Sequence, residues 1–194
     1  MSADGSVNFL PSFTPADLAG DGFRLRPWSR VGEPERRARE LVAVAADPVL
    51  SLWNPLLAPT VLHAERWLAG RTAGWDRGDL ASFALLDDDF DELLGAVAVR
   101  WADRADGIAM IGYWLVPAAR GRGLATRGLE AVTHWAFTTA DARRIELAHA
   151  VGNSASCRVA DRAGYPLEGT LRKSHRFGDG TYHDEHLHAR LATD

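Results

Sequence analysis

Between Val116 and Thr126 the chain reads VPAARGRGLAT, which sets Arg120 and Arg122 among Gly121 and Gly123, just ahead of the helical rhythm LATRGLEAVTHWAF. A helix N-terminus carries unpaired backbone N–H groups and about half a positive charge, so it attracts anions, most strongly where glycine lets a ligand reach the backbone. Arg120, Arg122 and Arg127 add guanidinium forks that suit phosphate oxygens. Together these residues predict a pyrophosphate cradle at a strand-to-helix junction.

Spacing separates the motifs that could serve it. A P-loop needs Lys-Ser/Thr after its last glycine, and Gly123 instead leads to Gly128-Leu129-Glu130 at the corresponding distance. A dinucleotide fingerprint would need glycine or alanine where Thr126 stands, and a parallel strand-helix-strand setting. The preceding strands read as an antiparallel meander, which leaves a nucleotide-dependent oxidoreductase as the weaker reading. What remains is R-x-x-G-x-A, from Arg120 to Ala125.

The elements around this junction follow from periodicity and punctuation. FRLRPW, Phe23 to Trp28, alternates as a strand, and Pro34 to Ala46 reads as a helix opened by proline until Asp47-Pro48 interrupts it. SLWNPLLAP reads as a loop, and Thr60 caps a helix in which Val61, Ala64, Trp67, Leu68 and Arg71 recur at helical spacing. ASFALLD, LLGAVAVRW and IAMIGYWLV are three strands parted by the turn material DDDFDE and ADRADG. A helix from about Gly123 to Thr139, the strand RRIELAHAV, a short helix NSASCRVADRAG and two strands joined by FGDG complete the chain. No internal repeat, low-complexity stretch or linker divides it.

Composition bounds the function classes. The 194 residues, 46% hydrophobic and 25% charged, suit one domain with a sizeable core. The formal charge of -4 argues against nucleic acid as a partner. A lone cysteine, Cys157, excludes an internal disulfide and a multi-cysteine metal site, and fits a reducing cytoplasm. No leader-like or membrane-length apolar run is present, so the expected location is cytoplasmic and no membrane partner is expected.

FRLRPW, WNP followed by AERWL, IGYWLVPAARGRGLAT, NSAS and AGYPLEGTLRK occur in an order that resembles the GCN5-related N-acetyltransferases, and within them the RimJ/RimL-like ribosomal-protein N-terminal acetyltransferases. The resemblance runs from about residue 22 to 191, with residues 1–20 an N-terminal extension and 21–194 one domain. It implies an α/β fold of the α+β type: a mixed, mostly antiparallel sheet of about six to seven strands flanked by about four helices, with the two central strands splayed apart. It implies acetyl-CoA as acyl donor, its pyrophosphate on the loop from Arg120 through Gly121, Arg122, Gly123, Leu124 and Ala125 to Thr126. By the same resemblance the backbone of Leu115 and Val116 pairs with the pantetheine arm, and Asn153 bonds it further along. Relatives often pair as dimers.

Direct acetyl transfer needs a neutral amine beside the thioester, a donor for the oxyanion and a proton for the leaving thiolate. The resemblance makes the backbone N–H near Leu115 the oxyanion donor and Ser156 the proton donor, although a serine in a first helical turn is more often a cap. Trp53 and Tyr113 are expected at the acceptor. Relatives commonly place a glutamate just before IGYW, where this chain has Met110, so a carboxylate base on that strand is missing. An α-amine with pKa near 7.7–8.0 needs only about 1 kcal/mol to become neutral at pH 7, whereas lysine near 10.4 needs about 4.6 kcal/mol. A protein or peptide α-amine is therefore the expected acceptor. An antibiotic- or polyamine-acetylating enzyme and a non-catalytic acyl-CoA-binding regulator are the alternatives.

Other residues have plainer explanations. His134 falls inside the long helix and reads as a packed or surface residue rather than a catalyst. His186 and His188 share a strand face, near His183, but without an evident third ligand no metal is expected. Asp184 and Glu185 fit a solvated edge strand as well as a cleft wall. DDDFDE fails the spacing of a calcium loop and reads as a hairpin turn. Cys157 is expected to be a buried, inert thiol, and most of the seven tryptophans to be core.

Overall fold

The computed structural model describes residues 15–55 and 58–194. Eight strands lie in one sheet in the order β1-β2-β3-β4-β5-β6-β8-β7. They are β1 (Leu18–Ala19), β2 (Phe23–Pro27), β3 (Leu80–Asp87), β4 (Leu93–Asp103), β5 (Ile108–Leu115), β6 (Arg144–Ala150), β7 (Leu167–Arg176) and β8 (Tyr182–Leu191). Five α-helices join them: α1 (Pro34–Ala45), α2 (Pro48–Trp53), α3 (Val61–Arg77), α4 (Leu124–Thr138) and α5 (Ser154–Arg162). All neighbours are antiparallel except β5 and β6. The mixed α/β class and the meander agree with the sequence reading.

Two elements exceed the expected count. The two-residue β1 is too short to show a period, yet it pairs with β2, so part of the supposed extension belongs to the sheet. Residues 1–14 lie outside the described residues. The second is α2, which occupies part of the expected loop. Asp47-Pro48 ends one helix and starts the next, because the Asp47 side chain accepts the Leu50 amide at 2.9 Å and Pro48 stands at the first helical turn.

Two apolar cores cover the two faces of the sheet. On one, Leu124, Leu129, Val132 and Trp135 of α4 pack on Phe83, Leu85, Val97 and Ile111. On the other, Leu41 of α1 and Ala64 of α3 pack on Leu86, Ala96 and Trp114. Gly128 lets α4 approach the sheet, since a Cβ there would lie 3.0 Å from Leu85. Four tryptophans, Trp28, Trp75, Trp114 and Trp135, are buried, as expected of large apolar surface. DDDFDE is a hairpin turn whose Asp91 holds Arg24 and the buried Arg37 by ion pairs. No described helix is long and apolar enough to cross a membrane.

Candidate active site in the strand splay

The parallel ladder between β5 and β6 has three rungs, Ile108 with Arg144, Ala109 with Ile145 and Met110 with Glu146, and then stops. Beyond it β5 stays paired with β4 as far as Leu115, and β6 with β8 as far as Ala150. Two strands held from outside but not by each other must diverge. The gap is the expected splay, and a cleft of about 790 Å³ runs through it.

The peptide edge that β5 turns to this gap is made by alternate residues. The Tyr113 carbonyl accepts the Asn54 side-chain amide at 3.1 Å, and the Leu115 carbonyl accepts Arg120 at 3.2 Å, neither of them from β4. The Leu115 amide therefore also faces the gap, since the N–H and C=O of one strand residue point the same way. Val116 differs from the expectation. Its amide donates to the Leu94 carbonyl and its own carbonyl accepts the Ala119 amide, both at 3.0 Å, so its N–H has none to give a pantetheine arm.

At the mouth, Gly121 and Gly123 have φ of 75° and 73°, the left-handed region that side chains rarely enter, and Gly123 is the N-cap of α4. Among the described residues, nothing lies within 4 Å of where a Cβ would sit at either glycine. That open space in front of a helix N-terminus fits a diphosphate. The three arginines are not equivalent, which sequence could not show. Arg120 turns inward to Asp47 at 2.6 Å, and Arg127 to the Asp21 carbonyl at 2.7 Å. Arg122 is exposed and makes no ion pair among the described residues, so it alone is free for a ligand. Arg120 is a fold residue: its hydrogen bond holds the Asp47 carboxyl below the ordinary carboxylate range.

Deeper in, α5 brings up Asn153 and Ser156. Asn153 rather than Ser156 is the cap, its side chain accepting the Ser156 amide at 3.3 Å. This leaves the Ser156 hydroxyl for other work, and it accepts the Tyr113 hydroxyl at 3.1 Å. Burial raises the Tyr113 pKa and the bond to Ser156 only partly offsets this, so the phenol stays protonated near neutral pH. Tyr113, expected beside the acceptor, lies on the face covered by α4 and α5.

The opposite face carries Met110, Gly112 and Trp114 by alternation, with Glu146 opposite Met110 on the last rung before the splay. Glu146 lines the cleft and accepts Arg144 Nε at 2.8 Å. Sequence reading passed over it because the missing carboxylate was sought on β5; the signal was the one acid in the run IELAHA. Trp53 ends α2 rather than sitting in a loop, edge-on to Phe177 with centroids 5.9 Å apart. The Gly178 amide donates to the Leu52 carbonyl at 2.9 Å, and a Cβ there would stand 1.6 Å from the Ser51 oxygen. A side chain at 178 would thus part the β7–β8 turn from α2. Of the acidic pair, Glu185 lines the cleft, whereas Asp184 accepts the Lys173 amide at 3.0 Å. His134 is exposed.

Two expectations differ from the structure. The helix after the glycines does lie between parallel strands, so strand direction does not separate this junction from a dinucleotide fold; the residue at 126 and the splay do. And His186 and His188 do not stand alone, because His149 and Cys157 bring ligand atoms to within 4.8 Å of theirs.

Residues 23–166 match the family described as acetyltransferase (GNAT) domain. An Escherichia coli protein, ribosomal-protein-serine acetyltransferase, is 34% identical over 101 residues, 52% of this chain and 56% of the relative. The chain spans about half the length of the curated relatives it matches. Among solved structures, ribosomal-protein-S5-alanine acetyltransferase from Vibrio fischeri superposes with TM-score 0.80 at 18% identity, covering 92% of this chain and 98% of that one. Mycobacterium smegmatis RimJ in complex with CoA-disulfide superposes with TM-score 0.79 at 25% identity, covering 94% and 88%. With the family match spanning most of its length and the splayed sheet to accompany it, the chain belongs to the GNAT acetyltransferases.

Proposed function

We propose that this chain is an acetyl-CoA-dependent N-acetyltransferase that acts by direct transfer on an α-amine of a protein or peptide. The observation that carries the reading is the convergence, in one cleft, of a glycine-opened helix N-terminus, the paired hydroxyls of Tyr113 and Ser156, and an aromatic-walled far half. Acetyl-CoA, as substrate, supplies an acetyl group activated as a thioester.

The chain's residues then divide the work. Amides from Arg122 to Thr126 and the free Arg122 guanidinium hold the diphosphate. Asn153 and the Leu115 amide align the pantetheine arm, and the same Leu115 N–H faces the carbonyl oxygen as negative charge develops. As the amine nitrogen bonds to the carbonyl carbon and the C–S bond breaks, Ser156 gives its proton to the thiolate and takes one from Tyr113, which regains it from water in the cleft. The amine's surplus proton leaves through water toward Glu146. That route suffices for an α-amine, where the cost of neutrality is small. The names of the relatives, which include acetylation of ribosomal-protein serine and alanine, support a protein N-terminus as acceptor.

The test is competition in one vessel between two peptides of equal length, one with a free α-amine and acetylated lysines, the other with a blocked N-terminus and free lysines. Mass spectrometry should find the acetyl group on the first at least tenfold faster. Equal or reversed rates would overturn the acceptor assignment, and no thiol release from acetyl-CoA would leave a non-catalytic binder.

A further inference from the structure

On the face of the sheet beneath α5, His149 of β6 stands opposite His186 of β8, and His188 lies two residues further along. The two-residue period of a strand puts all three imidazoles on one side, and Cys157 of α5 covers them. One ligand atom from each lies within 4.8 Å of the others.

The hydrogen bonds fix what these rings present. His149 Nδ1 is 2.9 Å from the Ala150 carbonyl, and His188 Nδ1 is 2.9 Å from the Tyr165 carbonyl. A carbonyl can only accept, so both Nδ1 atoms carry protons and each neutral ring turns a lone pair outward from Nε2. Those two Nε2 atoms are 3.2 Å apart. Two lone pairs facing at that distance repel unless a proton or a cation sits between them. Both rings are buried, His149 at 6% and His188 at 0% exposure, so the conflict is shut away from water. A cation bound by lone pairs removes the conflict.

The spacing suits one such ion. Nitrogen ligands about 2.0–2.1 Å from a tetrahedral zinc lie about 3.3–3.4 Å from each other. Anchoring of the second ring nitrogen by a backbone carbonyl is also the arrangement that orients metal-binding histidines. His186 supplies an independent sign, for its Nδ1 is buried without a hydrogen-bond partner among the described residues. We propose that His149, His186, His188 and Cys157 form a binding site for a single transition-metal ion of the zinc class. The ion would tie α5, and with it Ser156, to β6 and β8. On binding, a metal–sulfur bond replaces the Cys157 S–H bond and the proton passes to solvent, with no change of oxidation state.

The full-length protein, stripped with a chelator and dialysed, is titrated with zinc chloride alone by calorimetry and with cobalt chloride by absorption spectroscopy. One ion per chain is expected, with a thiolate-to-cobalt charge-transfer band. Cys157→Ser should abolish that band, and both Cys157→Ser and His186→Ala should weaken zinc binding at least tenfold. His183→Ala, at the exposed Asp179–His183 pair, should change neither. Absence of stoichiometric binding, a cobalt spectrum without the thiolate band, or binding lost in His183→Ala but kept in Cys157→Ser would each overturn the site. Cys157→Ser is nearly isosteric at a half-buried position, so it decides the matter even if His186→Ala does not fold.

Discussion

The two halves of the cleft are built on different principles. In the proposed mechanism the donor half is made largely of backbone: a glycine-opened helix start, one peptide edge of β5 and the capped start of α5, with Ser156 and Tyr113 as the working side chains. The acceptor half is made of side chains from segments far apart in sequence, Trp53 of α2, Met110 of β5, Glu146 of β6 and Phe177 beside β7, joined where Gly178 meets Leu52. Backbone geometry suits a constant ligand, whereas side chains on a hairpin and a short helix can vary with the acceptor. The donor half should therefore respond to substitution through acetyl-CoA, and the acceptor half through the amine.

Four outcomes would sharpen or break that division. Ser156→Ala should lower kcat about 100-fold or more with the KM for acetyl-CoA nearly unchanged, as loss of a positioned proton donor does. Tyr113→Phe, which acts through Ser156, should cost about tenfold and shift the alkaline limb of the kcat profile, while an unchanged rate would reduce the pair to packing. Gly178→Ala should raise the acceptor KM several-fold and lower Tm, because the added Cβ meets the Ser51 oxygen, yet leave acetyl-CoA affinity intact. A large loss of acetyl-CoA binding there would erase the distinction between the halves. Arg122→Glu should weaken acetyl-CoA about tenfold, or about 1.4 kcal/mol, without changing Tm.

The smallest effect concerns the joint between the halves. Asp47 caps α2 and pairs with Arg120, and Arg120 reaches Leu115. Its carboxyl pKa is depressed in the folded state, so its stabilisation is complete above the ordinary carboxylate range and is lost as pH falls through the folded value. Asp47→Asn should cost about 1 kcal/mol at neutral pH and flatten the acid limb of the Tm profile. An acid limb unchanged from wild type would remove Asp47 from the account.

The same contrast explains what the sequence disclosed. The glycine loop, the meander and the capped helix at Thr60 are local patterns, and period and capping chemistry make them legible. The division of labour among Arg120, Arg122 and Arg127 was not legible, because it depends on Asp47 and Asp21, which the fold brings from 73 and 106 residues away. Helix α2 was hidden by an Asp-Pro pair that serves as both stop and start. Glu146 beside Met110, and His149 and Cys157 beside the His186–His188 pair, are products of strand register and of where α5 packs, which no spacing within one segment encodes.

The claim on which the rest depends is that the gap between β5 and β6 receives the pantetheine arm. A crystal structure with coenzyme A measures it directly. The diphosphate should rest on the amides of Arg122 to Thr126, with the arm passing Leu115 and the sulfur within hydrogen-bond reach of the Ser156 hydroxyl. A coenzyme lying outside the splay, or with its sulfur remote from Ser156, would contradict it.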